Sequence, residues 1–383
     1  MKTRITLKDI FRNILVFFFL LFVLNLLSYA ILLFVKREGG PLGDSRWKLP
    51  NYDDNRELAK AIFEDYHNTK TEYRPFIGWR RLPFNSTTTT VNEAGDRVTP
   101  DAFPEVIKNY SVHFFGGSTM WGTGVDDAHT IPALFSRLSK HSEVYNHGEK
   151  AFASRQELDL LINLYESGER PDVVVFYDGV NDTYHQCIKG VEDIPAHARV
   201  DFLKKAAANG RTISYGKVLR ALFLDHLLDL TTEINKTQTL RKWQGECFTF
   251  DCPCDTAKVG EIATSMLHTW EIAHDLVVAN GGVFIGVLQP VVFEGKPKTS
   301  HLDAGLDQPF GITSSFEKTY ESYRQVMRTS GHDWIYDFTD VFDKDEFIYI
   351  DFCHVSQNGN QLVAERLRQV IQDKMREEWG TSQ

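Results

Sequence analysis

Hydrophobic residues follow two different periods along this chain, and the two alternate between residues 111 and 375. Short apolar runs rich in β-branched and aromatic residues predict buried strands, whereas longer stretches with an apolar residue every three or four positions predict amphipathic helices. The predicted strands cover residues 112–115, 143–146, 173–177, 283–288 and 334–337. The predicted helices cover residues 131–140, 154–167, 259–279, 315–329 and 357–374. Strands separated by helices predict parallel βαβ units, hence a three-layer α/β fold in which helices cover both faces of a doubly wound, mostly parallel five-stranded sheet.

The N-terminus follows neither period, because residues 14–35 form an almost unbroken apolar run. About 20 such residues cross a bilayer as a helix. Basic residues precede the run at Lys2, Arg4, Lys8 and Arg12. This positive excess predicts a cytoplasmic segment at residues 1–13, a single-pass transmembrane helix at residues 14–35 and a domain outside the cytoplasm, periplasmic in a Gram-negative bacterium. Residues 28–30 resemble a signal-peptide cleavage site, but the apolar run continues beyond them, so we expect an uncleaved signal-anchor.

The remaining segments are distinguished by their polarity. Residues 36–110 are polar and rich in turn residues, which predicts a linker, a stalk helix at residues 55–66 and an extended preamble with a strand at residues 87–92. Residues 111–383 predict one domain, which an insertion interrupts at about residues 185–257. Leucines within that insertion predict a helix at residues 215–234, which either packs on the core or covers the site as a lid or partner surface.

Composition narrows the class of protein. Hydrophobic residues make up 42% of the 383 residues, enough for a full core, and the formal net charge is −10. A negative chain without a basic block argues against nucleic acid as the main partner.

Ser118 is the first candidate for chemistry. It follows Gly116 and Gly117 at the end of the first predicted strand of the sheet, immediately before a predicted helix. Open α/β sheets bind ligands at the carboxyl ends of their strands, and glycines allow a sharp turn there. The alternative is a glycine-rich turn in which the serine caps the helix.

Asp351 and His354 are the second candidates, three residues apart between an apolar run and the last predicted helix. A serine hydroxyl needs a base to become nucleophilic. His354 would take the proton of Ser118, and Asp351 would orient the imidazole. A capping aspartate beside a surface histidine is the alternative.

Two further strand ends carry groups that could stabilise an oxyanion. Asn181 follows the third strand, and Gly148 follows the second. A side-chain amide and a backbone N–H are donors of the kind that acyl transfer requires. Ordinary turn residues would look the same.

In these four blocks the chain resembles the SGNH/GDSL hydrolase superfamily. The blocks are residues 116–118, 146–148, 179–182 and 351–354, and the resemblance covers about residues 111–375. It implies a flavodoxin-like fold, Ser118 as nucleophile and His354 as base. It also implies Asp351 as its orienter, an oxyanion hole made by Ser118, Gly148 and Asn181, and no metal or other cofactor. Gly117 departs from the aspartate of the family's name motif.

The resemblance implies a serine esterase. We expect it to remove O-acyl, by preference O-acetyl, groups from an extracytoplasmic glycan. An O-acyltransferase using the same site, a catalytically silent glycan-binding or scaffold protein in polysaccharide assembly, and a lipid esterase are the alternatives. The apolar segment and the preamble look like those of bacterial SGNH proteins associated with surface polysaccharide, so the bilayer and polysaccharide-assembly proteins are the expected partners. Trp121, Tyr177 and Tyr184 should flank the pocket, and Trp121 and Tyr184 are the candidate substrate contacts.

The chain has five cysteines. Three cluster in the insertion at Cys247, Cys252 and Cys254. They do not complete a usual zinc ligand set, whereas an extracytoplasmic domain permits disulfides, so we expect one bridge within this cluster. Cys187 and Cys353 lie in loops that should converge at the site, which predicts a second bridge between them. Two buried free thiols are the alternative.

Overall fold

The computed structural model describes residues 7–39, 44–188, 219–235 except 221, 247–302 except 248, and 311–380. The chain divides into two compact units. The first combines residues 1–45 with 204–245, and the second combines residues 46–203 with 246–383.

The first unit contains the long helix Leu7–Gly39 and the helix Asp225–Asn235. Within the long helix, the segment at residues 8–33 is long and apolar enough to cross a membrane, as the sequence predicts for residues 14–35. Within this unit the Oδ1 atom of Asn25 accepts hydrogen bonds from the N–H groups of His226 (2.9 Å) and Leu227 (3.1 Å). The predicted helix at residues 215–234 is therefore helical in its second half, and its first residues lie outside the described part of the chain.

A five-stranded parallel sheet forms the centre of the second unit. Its strands are β1 (Tyr110–Gly116), β2 (Ser142–Asn146), β3 (Val173–Asp178), β4 (Val283–Leu288) and β5 (Ile335–Asp337). Their spatial order is β2-β1-β3-β4-β5, and all four pairings are parallel. This order confirms the predicted fold and places the switch point, at which the strand order reverses, between β1 and β3.

Side chains alternate between the two faces of each strand, and this alternation separates two cores. Along β3, Val174 and Phe176 face one cluster of buried residues, whereas Val173, Val175 and Tyr177 face the other. The first cluster is covered by helices Ser154–Glu166, Thr256–Ala279 and Ile312–Ser330, and the second by helices Ile131–Leu138 and Gln357–Trp379. All five predicted strands and all five predicted helices of this domain occur.

Helix ends differ from the prediction where a polar side chain sets the boundary. The helix predicted at residues 259–279 begins at Thr256, because the Asp255 carboxylate accepts the N–H of Lys258. Similarly, Asn55 caps the helix Arg56–Asn68 through the N–H of Leu58. Caps satisfy backbone donors that the first turn of a helix leaves unpaired.

The preamble belongs to the same compact unit as the sheet. It forms two short antiparallel hairpins, Thr71–Arg74 with Gly78–Arg81 and Phe84–Asn85 with Thr90–Val91. A bridge between Arg97 and Asn146 joins this region to the edge strand β2. The preamble therefore extends the sheet, and the helix predicted as a stalk, Arg56–Asn68, belongs to the same compact unit. The short helices Val180–Gln186 and Ser118–Trp121 follow β3 and β1.

Candidate active site

Ser118 begins a short helix at the carboxyl end of β1. The strand ends at Gly116, and the helix runs from Ser118 to Trp121. Gly122 closes this turn in the left-handed region, with φ of 97°, and its N–H donates to the carbonyls of Ser118 and Thr119. Since the strand order reverses between β1 and β3, Ser118 lies at the crevice in which open α/β sheets bind ligands.

A chain of hydrogen bonds connects Ser118, His354 and Asp351. The Ser118 Oγ lies 2.7 Å from His354 Nε2, and His354 Nδ1 lies 2.7 Å from Asp351 Oδ2. The Asp351 Oδ1 atom accepts the N–H groups of Cys353 (3.0 Å) and His354 (2.8 Å). Burial alone would raise the pKa of Asp351, but His354, Arg46 and the Cys353 N–H hold that pKa well below its usual range. A carboxylate beside Nδ1 favours the tautomer in which Nε2 can accept a proton.

Asn181 lies next to this chain of hydrogen bonds. A Cβ atom built on Gly117 would collide with Asn181 Nδ2, so the glycine allows the amide to approach the backbone beside Ser118. The same nitrogen donates to the carbonyl of Phe152 (2.7 Å), which leaves its second N–H bond directed elsewhere. The amide is therefore held close to the backbone of the candidate nucleophile.

The backbone N–H of Gly148, a candidate oxyanion donor, already has a hydrogen-bond partner. Its N–H donates to the Asn146 side chain at 3.0 Å, and a Cβ there would collide with the backbone of Trp121. Three residues later Ala151 adopts a left-handed φ of 61°, a conformation that is costly for a residue with a Cβ. This turn carries the chain to Phe152, whose carbonyl holds Asn181.

The expectation that Trp121 contacts substrate is wrong, because the side chain is only 1% exposed. Its ring lies between two guanidinium groups, with the Arg81 carbon at 4.3 Å and the Arg97 carbon at 4.5 Å from its centroid. Lys150 lies near the same ring, and burial together with Arg81 lowers the pKa of Lys150 to about 5. Tyr177 is also buried, within the core below the sheet.

Tyr184 remains a candidate substrate contact. It is partly exposed, and its ring stacks on Phe352 at 6.1 Å, inside the turn that carries Asp351 and His354. Its edge also contacts Phe250, at 5.7 Å. The aromatic surface therefore borders the catalytic turn.

The predicted Cys187–Cys353 bridge is wrong. Cys187 pairs with Cys252, and Cys353 is a buried free thiol. The reason is local pairing, since Ile188 forms an antiparallel bridge with Phe250 and brings the two neighbouring cysteines together. The expected bridge within the insertion cluster joins Cys247 and Cys254.

Three buried arginines of the preamble were missed by sequence reasoning. Arg97 donates to the carbonyls of Trp121 (3.1 Å), Gly122 (2.7 Å) and Val125 (2.8 Å), and pairs with Asp127. It thereby holds the turn that follows Ser118.

The other two arginines hold the loop after β2. Arg81 pairs with Glu149, and both side chains are buried. Arg80 pairs with Asp96 and donates to the His147 carbonyl at 3.2 Å. No hydrophobic pattern marks such residues, because arginine is mostly found at the surface.

Buried carboxyl groups lie below the loop that follows β3. Burial, with Asp182 nearby, raises the pKa of Asp178 to about 8, and Asp178 accepts the Trp270 indole N–H at 2.7 Å. Burial also raises the pKa of Glu157 well above its usual value. Asp182 in turn accepts the Ser154 hydroxyl at 2.7 Å. Burial therefore raises the pKa of all three carboxyl groups, which disfavours their charged forms.

The four sequence blocks thus meet at one edge of the sheet. The order of the sheet and its flanking helices agree with the fold that the resemblance to the SGNH/GDSL hydrolase superfamily implies. No family model and no curated protein matches the chain. Among solved structures, it is similar to a carbohydrate acetylesterase family member from Sinorhizobium meliloti, with 14% identity over 71% of this chain and 100% of that one, at a TM-score of 0.36. It is also similar to a lipolytic G-D-S-L family protein from Veillonella parvula, with 11% identity over 68% of this chain and 97% of that one, at a TM-score of 0.35. Likenesses this distant carry no argument about activity.

Proposed function

We propose that this protein is a serine esterase in which Ser118 is the nucleophile, His354 the general base and acid, and Asp351 the group that orients it. The observation that carries the proposal is the pair of 2.7 Å contacts from Ser118 Oγ to His354 Nε2 and from His354 Nδ1 to Asp351 Oδ2. A base within hydrogen-bond reach of a hydroxyl, itself oriented by a third group, is the arrangement that activates a serine.

The reaction proceeds through an acyl-enzyme. Ser118 Oγ attacks the ester carbonyl while His354 Nε2 takes its proton, and the imidazolium then returns that proton to the departing alkoxide. His354 next removes a proton from water, which attacks the acyl-serine, and the imidazolium returns this proton to Ser118 Oγ as the acid is released. Developing negative charge on the carbonyl oxygen is stabilised by the Ser118 N–H, at the first turn of its helix, and by the Asn181 amide.

Gly148 contributes to this oxyanion hole only if its N–H leaves the Asn146 side chain, to which it is bonded. The proposal therefore rests on the Ser118 N–H and the Asn181 amide as the two principal donors.

The proposed substrate is an O-acyl, by preference O-acetyl, group on a glycan outside the cytoplasm. The apolar helix at residues 8–33 supports a membrane anchor with an inside N-terminus. The bridges Cys187–Cys252 and Cys247–Cys254 support an oxidising compartment, where disulfides persist. The partly exposed Tyr184 ring offers an apolar face of the kind that packs on a sugar.

The test uses the full-length protein in detergent micelles with a fluorophosphonate and an acetylated sugar. We expect an adduct on Ser118 and release of free acetate, and both should be lost in His354→Ala. The matched control is His141→Ala, a histidine before β2 at the amino ends of the strands, which should leave both unchanged. Acetylated acceptor glycan in place of acetate would indicate a transferase. Folded protein with neither adduct nor turnover would contradict the proposal and favour a scaffold.

A further inference from the structure

Arg46 makes a direct contact with Asp351, the proposed orienting carboxylate, although the two residues lie far apart in sequence. Its Nη1 is 2.8 Å from Asp351 Oδ2, the same oxygen that faces His354 Nδ1. Arg46 begins a single helical turn, Arg46–Lys48, at the start of the second compact unit. The segment that enters this unit therefore reaches the proposed active site at once.

The guanidinium is held in place from its other side by aromatic rings. Its central carbon lies 4.7 Å from the Phe63 ring centroid and 5.5 Å from that of Tyr66, both on the helix Arg56–Asn68. The Arg46 side chain is 22% exposed, and that of Asp351 is 17% exposed. A planar cation that stacks on rings loses little freedom when it binds a carboxylate.

The contact completes the hydrogen bonding of Asp351. One carboxylate oxygen accepts two backbone N–H groups of its own turn, and the other faces His354 and Arg46. Tyr66 and the Cys353 thiol are further ionisable groups that interact electrostatically with this carboxylate. Among the described residues, Arg46 is the one permanent cation that forms an ion pair with Asp351. During turnover, a transient imidazolium must share the carboxylate with it.

We propose that Arg46 is a positioning residue for the Asp351–His354 pair, which fixes the carboxylate and moderates its attraction for the imidazolium. This inference rests on the proposed function, in which that pair activates Ser118. In this proposal, the segment that follows the apolar helix Leu7–Gly39 in sequence contributes a residue to the catalytic site. Arg46 does not touch the reacting atoms, so its effect should appear in kcat and in the pH profile, and not in KM.

The test compares Arg46→Met, which keeps an apolar stem over Phe63, with Arg46→Lys, which keeps the charge. Arg56→Met is the matched control, because Arg56 pairs with Asp53 at 2.6 Å at an exposed position. The full-length proteins are compared in detergent micelles by their rates of hydrolysis of an acetyl ester. Their histidines, selectively labelled, are also titrated by NMR. The signal of the catalytic imidazole is identified as the one that is missing from the spectrum of His354→Ala.

In Arg46→Met, kcat should fall about tenfold with KM unchanged, as for loss of one charge-assisted hydrogen bond. The titration midpoint of the catalytic imidazole, and with it the acid limb of the rate profile, should rise by about half to one pH unit, because the carboxylate then acts on the imidazolium alone. Arg46→Lys should have the titration midpoint of the wild type and a kcat between those of Arg46→Met and the wild type. Arg56→Met should match the wild type in both the midpoint and kcat.

An unchanged midpoint in folded Arg46→Met would overturn the proposal, as would equal losses of kcat in Arg46→Met and Arg56→Met. The midpoint is measured without turnover. An inactive wild type whose midpoint still rises in Arg46→Met would therefore contradict the esterase and support the role of Arg46. If Arg46→Met does not fold, a Lys variant with the wild-type midpoint supports the proposal, and one with a shifted midpoint overturns it.

Discussion

Glu149→Gln tests whether buried ion pairs hold the loop that follows β2. Glu149 is fully buried, and its Arg81 partner is 1% exposed. Glu149 Oε1 lies 3.2 Å from Arg81 Nε and accepts the Lys150 N–H at 2.8 Å. Its Oε2 accepts the Arg81 backbone N–H at 3.0 Å. Glutamine has the same shape but only one accepting oxygen, and it carries no charge.

The magnitude follows from what the substitution leaves behind. An amide NH2 must face one of the two backbone N–H groups, and an unsatisfied buried donor costs about 1–3 kcal/mol. The Arg81 guanidinium also loses its buried counter-charge, and breaking such a pair costs about 3–5 kcal/mol. These costs overlap, so we expect the free energy of unfolding to fall by at least about 3 kcal/mol and Tm by about 5 °C or more.

The assay is thermal and urea unfolding of the full-length protein in detergent, followed by near-ultraviolet circular dichroism. Trp121 stacks directly on Arg81, so the loss of its fixed environment reports on this region. Glu64→Gln is the matched control, because Glu64 pairs with Lys60 at 4.0 Å on the surface and should change stability by less than about 1 kcal/mol. A Glu149→Gln variant within 1 kcal/mol of the wild type would refute the reasoning.

Three further predictions concern the site and the core beneath it. Gly117→Ala should slow fluorophosphonate labelling at least about tenfold, because the added Cβ displaces Asn181. Gly260→Ala is the control, since a Cβ at Gly260 meets no other atom. Equal labelling rates in the two variants would contradict the close approach of the Asn181 amide to Gly117. Denatured, unreduced protein should react with one maleimide, on Cys353, and the Cys353→Ser variant should react with none. Three labels per chain would show that one of the two bridges is absent. Asp178 stays protonated in the folded state up to about pH 8 but ionises near pH 4 when unfolded, so its contribution to stability falls as pH rises through this window. The Tm difference between Asp178→Asn and the wild type should therefore become more positive from pH 5 to pH 8, and a pH-independent difference would show that the carboxyl does not stay protonated.

The fold was predictable because the spacing of hydrophobic residues along a strand or helix follows directly from which of its faces are buried. Strand β3 reads Val-Val-Val-Phe-Tyr in sequence, and both of its faces are buried by helices, as such runs indicate. The candidate nucleophile and base were predictable for a related reason. Ser118 and His354 follow apolar strands or runs, and the carboxyl ends of parallel strands converge on one edge.

The partner of Cys187 and the position of Trp121 were not predictable from these patterns. Cys187 pairs with Cys252 because of a local bridge between Ile188 and Phe250, and no period in the sequence specifies that register. Trp121 was expected to contact substrate because it should flank the pocket and an aromatic face suits a sugar ring. Its burial depends on arginines that are distant in sequence.

Those arginines also decide where the site-bearing unit begins. Hydrophobic pattern alone predicts a domain that starts at residue 111, because the apolar strands start there. Arg46 contacts Asp351, Arg81 pairs with Glu149, and Arg97 binds the carbonyls that follow Ser118. Each contact joins the preamble to a different block of the proposed site. A fragment that began at residue 111 would retain every proposed catalytic group, yet it would leave two carboxylates and the turn after the nucleophile without their cations. The physical boundary of the site-bearing unit is therefore Arg46, because the preamble contributes these polar contacts as well as the core residues Ile77 and Trp79.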